Sequence, residues 1–303
     1  MIQIIKNTNF DFLKLKKVTF FISIAVISIG IISMIIHRGL NFGIDFVGGT
    51  LIQIQFEKNV DVGSIRNSLS AVNLGSSEIK EFGNERDVLI KTEFQQLETS
   101  VTEIIEGVFT RDFPDNPYEV RRIEQVGPKI GSELIHGALW SILFAFLLMG
   151  IYISWRFEFK FAIGAVAALV HDVLVTLAVF SLLDLEFSLP VIAAILTLVG
   201  YSLNDTIVVF DRIRENLKAL RRENHNFIIN KSINEVLNRT IITSLTTLFV
   251  IAIVFVFGGE VIHNFAFALL IGIITGTYSS IYIASPIVAI WKEKTEMVKR
   301  KRP

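Results

Sequence analysis

The chain has no cysteine among its 303 residues, which excludes a disulfide framework and any thiolate site and leaves each folded part dependent on its own core. Histidine is also sparse. The five present are scattered, with no spacing that would gather a His-rich metal site. Formal net charge is zero, and the stretch from His37 to Gly131 is visibly acidic, which argues against nucleic acid as a partner. Missing too are the Walker loop, H-E-x-x-H, G-x-S-x-G and the dinucleotide fingerprint, so none of these enzyme classes is indicated.

What the chain does have is apolar material in blocks, with 51% hydrophobic residues beside 19% charged ones. A hydrocarbon core of about 30 Å needs roughly 20 helical residues. Six stretches qualify: Val18 to Ile36, Leu134 to Ile153, Phe161 to Leu183, Leu189 to Phe210, Ile241 to Phe257 and Phe265 to Ile290. Lys and Arg are retained on the cytoplasmic side of short loops. They occur in the N-terminal arm (Lys14, Lys16, Lys17), the turn after span two (Arg156, Lys160), the loop after span four (Arg212, Arg214, Lys218, Arg221, Arg222) and the tail. The alternate turns hold only Asp184, Glu186 and Glu260. Both termini are therefore expected in the cytoplasm, with the segment after span one outside. Span one is too long for a signal peptide and no A-x-A-like site follows it, so it is expected to remain as an anchor.

Between spans one and two the pattern changes to alternation, with Thr50, Ile52, Ile54 and Phe56 separated by polar residues. That period of two predicts a half-buried strand. An amphipathic stretch from Val62 to Val72, short strands near Ile79 and Val88 to Ile90, a helix from Leu97 to Phe109 and a strand from Tyr118 to Val126 follow. This is the ferredoxin-like order. The expected fold class is a polytopic α-helical membrane protein with six transmembrane helices and a ferredoxin-like α+β extracytoplasmic domain between helices 1 and 2. Its expected parts are an arm (1–17), the first span (18–37), the external domain (38–131), a membrane domain (132–291) and a basic tail (292–303). The polar stretch 211–240 suits amphipathic helices on the cytoplasmic membrane face.

An ionisable side chain deep in a span costs about 2.5 to 3.5 kcal/mol on insertion scales, so it needs a partner, a cavity or a function. Span three has His171 and Asp172 near its middle, and span four has Asn204 and Asp205. Thr197, Tyr201, Asn204 and Val208 fall on one strip of span four, with Gly200 and Asp205 beside it. Span five opens at Arg239 and presents Thr240, Thr243, Ser244, Thr246 and Thr247, and a snorkelling Arg239 would be within reach of Asp205. Asp205 is the strongest candidate for a proton carrier, because the balance between apolar surroundings and a nearby cation switches a carboxyl's protonation. For His171 and Asp172 a satisfied pair and a proton-handling pair both remain open. Gly272, Gly276, Ser279 and Ser280 make a small-residue strip on span six that favours close helix packing.

Six strings carry a resemblance. FGIDFVGGT (Phe42 to Thr50), VGPKIGSEL (Val126 to Leu134), the pair His171 and Asp172, VGYSLNDTIVVFDRIREN (Val199 to Asn216), NRTIITSLTT (Asn238 to Thr247) and GIITGTYSSIYIASP (Gly272 to Pro286) are similar, in order, to the SecF side of the SecD/SecF protein-export family. The first string supplies Gly43, Asp45, Gly48 and Gly49 as a packing motif. The resemblance implies an inner-membrane subunit that works with SecD as a heterodimer beside the SecYEG translocon and YajC. It further implies a pull on translocating preproteins driven by the proton-motive force, with protons as coupling ion and no other cofactor. It also implies proton transport at Asp205 and Arg239. A six-span unit with one external domain is half of a repeat transporter, so SecD is expected to supply the other half. Two alternatives remain: a proton-coupled small-molecule exporter of the same superfamily, and a purely structural subunit that stabilises SecD.

Overall fold

The structure is a computed structural model that describes residues 8–93 and 100–291. Six of its helices are long and apolar enough to cross a membrane. The chain divides into two compact units, one of residues 42–139 and 186–189, the other of the remaining segments.

The smaller unit is built on β1 (Gly49–Phe56), β2 (Glu78–Phe82), β3 (Asn84–Thr92) and β4 (Tyr118–Val126), in the order β2-β3-β1-β4 with every pair antiparallel. Alternation decides which face is covered. Ile52 sits opposite Ile90 and Ile54 opposite Val88, and these four are fully buried. Onto them pack α3 (Val62–Ser70) through Ile65 and Leu69, and α4 (Val101–Asp112) through Ile105, Val108 and Phe109. The sequence places the second helix at Leu97 to Phe109; α4 starts at Val101 and runs to Asp112, and residues 97–99 lie outside the described residues. A short helix, α2 (Ile44–Val47), precedes β1.

Asp61 and Glu78 in this unit are held in their charged form. Backbone N–H groups of Ser64 and Gly63 at the start of α3 lower the pKa of Asp61. Burial alone would raise Glu78, but hydrogen bonds and charge from Lys80 and Lys91 outweigh it and leave the pKa lowered. A carboxyl more acidic in the folded state stabilises the fold above its unfolded pKa, and that stability is lost as pH falls through the folded value. Limited proteolysis of the full protein should therefore show this unit opening as pH drops below the ordinary carboxylate range. Asp61→Asn should flatten that dependence. An unchanged acid profile in the variant would count against the cap.

The larger unit contains α1 (Lys16–Ile36), most of α5 (Pro128–Arg156), α6 (Phe159–Leu182), α7 (Leu189–Ala219), α8 (His225–Phe257) and α9 (Glu260–Ser279). The last span continues through a π-helical turn, Ser280–Ala284, to Trp291. More than half of the apolar windows of α6, α7 and the last span is buried, against none of that of α5, so the three former make the interior. Their interior faces are rich in small residues, and backbones without bulky side chains approach closely. A Cβ on Gly272 would stand 2.6 Å from Leu198, and one on Gly276 3.0 Å from Ser202, so α9 lies directly on α7. Gly30 of α1 faces Ala178 of α6 with no room for a side chain.

The polar stretch 211–240 is helical over most of its length, as extensions of the flanking spans: α7 continues to Ala219 and α8 begins at His225, leaving 220–224 as the connection. Buried Ile213, Ile228, Ile229, Ile233 and Leu237 keep these extensions packed. Asn216 donates to Ser232 Oγ at 3.0 Å and to Glu235 at 2.6 Å, and Arg212 pairs with Glu235 at 2.7 Å, so the spans have a reason to continue as one helix each.

Candidate functional site

Among the described residues, two buried carboxylates lie in the helical unit. Asp172 on α6 is 1% exposed and Asp205 on α7 is 2% exposed.

Asp172 joins three helices. Its Oδ2 accepts from Ser202 of α7 at 2.6 Å and from Ser279 of α9 at 2.8 Å, while Oδ1 is 2.9 Å from His171 Nδ1. His171 Nε2 lies 3.0 Å from Ser23 Oγ on α1, which lies 3.1 Å from the Tyr278 hydroxyl. Tyr278 donates to the Thr19 carbonyl at 2.9 Å and stacks on the His171 ring at 5.7 Å. Each hydroxyl has one hydrogen. With that of Tyr278 committed to Thr19, Ser23 donates to Tyr278 and His171 Nε2–H donates to Ser23. One proton then sits between Nδ1 and Oδ1, and the pair is neutral overall wherever in that bond the proton rests. A neutral pair is what burial among apolar helices requires.

Asp205 has a smaller set of partners. Ser244 of α8 donates to its Oδ2 at 3.1 Å, and Ser244 Oγ is 2.7 Å from Thr277 Oγ1 of α9. Arg239, expected within reach, is exposed, and among the described residues no ion pair joins it to Asp205. Helical phase explains the difference: five residues at ~100° each place Arg239 about 140° around α8 from Ser244. Asn204 is exposed and points away from Asp205, while half-buried Tyr201 reaches the Thr243 carbonyl at 3.2 Å and Thr247 Oγ1 at 3.3 Å. The expected strip thus separates into an outer face with Thr197, Gly200 and Asn204 and an inner one with Asp205.

Gly272 and Gly276 sit at the contact with α7. Ser279 does more than pack, being a direct donor to Asp172, whereas Ser280 bonds back to the Thr277 carbonyl at 3.0 Å. Nothing in the sequence singles out Ser23, Ser202, Thr277 and Tyr278, because a hydroxyl within a span more often bonds its own helix.

The glycine motif lies in the smaller unit. Asp45 Oδ2 accepts the backbone N–H of Leu189, the first residue of α7, at 2.8 Å, which satisfies one of the orphan donors of a helix start. Phe42, Phe46 and Phe187 cluster around it with centroids 5.7 to 6.0 Å apart. Gly48 and Gly49 have φ of +76° and +143°, and a Cβ on Gly49 would collide with the Thr92 carbonyl oxygen across the sheet. Gly49→Ala is expected to destabilise the full protein by about 1 to 3 kcal/mol, the range for strained backbone. Gly107→Ala, in open space on α4, should not. Equal melting temperatures for the two variants would refute the assignment.

Six membrane-length helices around buried carboxylates define a polytopic membrane protein. The model of the SecD/SecF protein-export membrane protein C-terminal region matches residues 108–294, that of the SecD/SecF GG motif matches 33–60, and the chain belongs to this family. It is 50% identical over 297 residues to protein translocase subunit SecF of Calditerrivibrio nitroreducens, covering 96% of this chain and 97% of the relative. Its identity to the SecF subunit of Desulfurispirillum indicum is 48%, over 93% and 92% of the two chains. A crystal structure of SecDF, a translocon-associated membrane protein from Thermus thermophilus, superposes with a TM-score of 0.85 at 37% identity. That match covers 95% of this chain but only 39% of the SecDF chain. SecDF in its super-membrane-facing form gives a TM-score of 0.72 at 35% identity, over all of this chain and 41% of that one.

Proposed function

We propose that the chain is an accessory subunit of the Sec translocase of the bacterial inner membrane and that, paired with SecD, it uses the proton-motive force to promote preprotein translocation. The observation that carries this reading is the fold match, which spans nearly all of this chain and about two-fifths of a SecDF chain. The match leaves about three-fifths of the SecDF chain without a counterpart here, and in this reading another polypeptide supplies it. SecD is that partner, and the exposed face of α7 with Thr197, Gly200 and Asn204 is where its helices pack, small residues permitting close approach. SecYEG, YajC and the preprotein are the wider surroundings.

Asp205 is the proton carrier in this reading, Arg239 supplies field, and Asp172 with His171 is a second protonatable centre. Residues 38–131 form the ferredoxin-like domain on the periplasmic side, a topology supported by the strand order β2-β3-β1-β4 with α3 and α4 on one face. The termini and the α7–α8 extensions are cytoplasmic, as their basic residues favour. Protonation changes at Asp205 move the external domain relative to the helices.

The test uses inverted membrane vesicles depleted of the chain and restored with it together with SecD. Translocation should rise with a proton gradient, and the rise should vanish when an uncoupler collapses the gradient. A stimulation indifferent to the uncoupler would leave only a structural role. Solute efflux from the same vesicles would favour the exporter reading.

A further inference from the structure

We infer that the cavity beneath the N-terminal arm is a water vestibule, and that Thr277 and Ser244 pass protons between it and Asp205. The inference rests on the reading of Asp205 as proton carrier. The cavity has a volume of about 580 Å³ and is walled by Phe10, Phe12, Leu15, Leu237, Ile274 and Ile281, with Asp11, Thr277, Tyr278 and Tyr282 as its polar groups. It lies at the end of the helices where the α8 extension meets the arm. There Asn234 Oδ1 accepts from Phe10 N at 2.9 Å and Asn230 Oδ1 from Phe12 N at 2.8 Å, while both amides donate to the Phe10 carbonyl at 2.7 and 2.9 Å.

The hydroxyl chain has two complete arrangements. In one, Thr277 donates to Ser244 and Ser244 donates to an ionised Asp205, across 2.7 and 3.1 Å. In the other, protonated Asp205 donates to Ser244, Ser244 donates to Thr277, and Thr277 donates to the Ile273 carbonyl, 2.9 Å away. Each hydroxyl proton has an acceptor in both, so neither arrangement is penalised for an unmade donor bond. Passage from the first to the second is a relay. A hydronium in the cavity forms an O–H bond to Thr277 Oγ1 as the Thr277 proton leaves for Ser244, and the Ser244 proton leaves for Asp205 Oδ2. One proton enters, one carboxyl is formed and a neutral water remains; hydroxyl rotation then completes the second arrangement. Thr277 is the member of this chain that lines the cavity. Its neighbour Tyr278, the last member of the His171 network, lines the same cavity.

Because the chain has no cysteine, single cysteines can be introduced into it on a silent background, in complex with a SecD whose own cysteines have been replaced. In inverted vesicles, Thr277→Cys and Ile274→Cys should be modified by a charged, membrane-impermeant thiosulfonate, as Glu223→Cys in the exposed connection is. Ala268→Cys, buried in α9, should stay inert. Adding Asn230→Ala and Asn234→Ala should release the arm and speed modification roughly tenfold, the factor about 1.4 kcal/mol of lost hydrogen bonding yields. Thr277→Val should lose gradient-driven translocation while Thr277→Ser retains it. A vestibule filled by lipid would leave Thr277→Cys and Ile274→Cys as inert as Ala268→Cys, and that result overturns the proposal. Full gradient stimulation in Thr277→Val overturns the relay. If Asp205→Asn itself kept the stimulation, the failure would belong to the assignment of the carrier, whatever the labelling showed.

Discussion

Asp205→Asn should abolish gradient-dependent stimulation of translocation while leaving the gradient-independent rate and assembly with SecD unchanged. The amide keeps an oxygen that can accept from Ser244, 3.1 Å from the carboxylate in the structure, so the packing of α7 against α8 is retained. What it loses is a titratable oxygen. One proton crossing ~100 mV is worth about 2.3 kcal/mol, roughly a fiftyfold bias between two states. Moving an equilibrium from 1:99 to 99:1 takes ~5.5 kcal/mol, so one proton on potential alone does not complete the swing. A pH gradient, less unequal states or a second proton must contribute. Translocation into inverted vesicles, measured with and without a gradient, decides the matter. Intact stimulation in the variant would remove Asp205 from the mechanism.

Asp172→Ala is expected to have the largest effect on folding. It withdraws the acceptor shared by Ser202 and Ser279 and the partner of His171 Nδ1, on three helices at once. Each buried group left unpaired costs about 1 to 3 kcal/mol, and the sum is a large fraction of a typical protein's stability of about 5 to 15 kcal/mol. The purified protein should melt at a clearly lower temperature in mild detergent and yield less complex with SecD. Asp172→Asn, which retains one acceptor and offers two donors to rotatable hydroxyls, should recover part of both. Identical melting of Asp172→Ala and the parent would show that the network does not hold the helices together.

Periodicity made the spans, the β1 pattern and the expensive residues legible. Six apolar runs and the alternation around Ile52 are local properties, and the structure has helices and a strand at those places. Partner choice is a property of helical phase and of helix order, which a linear string does not display. Ser23 lies 148 positions before His171, and Ser279 lies 107 after Asp172. Sequence position puts Arg239 near the same end of the bundle as Asp205, yet its azimuth on α8 turns it outward and presents Ser244 instead. The joining of α7 and α8 to their polar extensions was likewise hidden, because hydropathy falls at Phe210 while Ile213, Ile228 and Ile233 still find one another.

The π-helical turn Ser280–Ala284 divides the last span into two segments of different rotational phase. Before it, Gly272 and Gly276 lock α9 to Leu198 and Ser202; at its end, the Ala284 carbonyl faces Gly164 of α6, and Ser285 Oγ bonds the Ser280 carbonyl at 2.8 Å. An extra residue held in one wide turn works as a vernier. If the wide turn migrates by one residue along the helix, the residue it crosses is re-aimed by about 100° while the segments on either side keep their grip. Thr277, Tyr278 and Ser279 lie directly ahead of that turn, so the hydrogen-bond networks of Asp205 and Asp172 both end beside the one place where the last span departs from α-helical pitch.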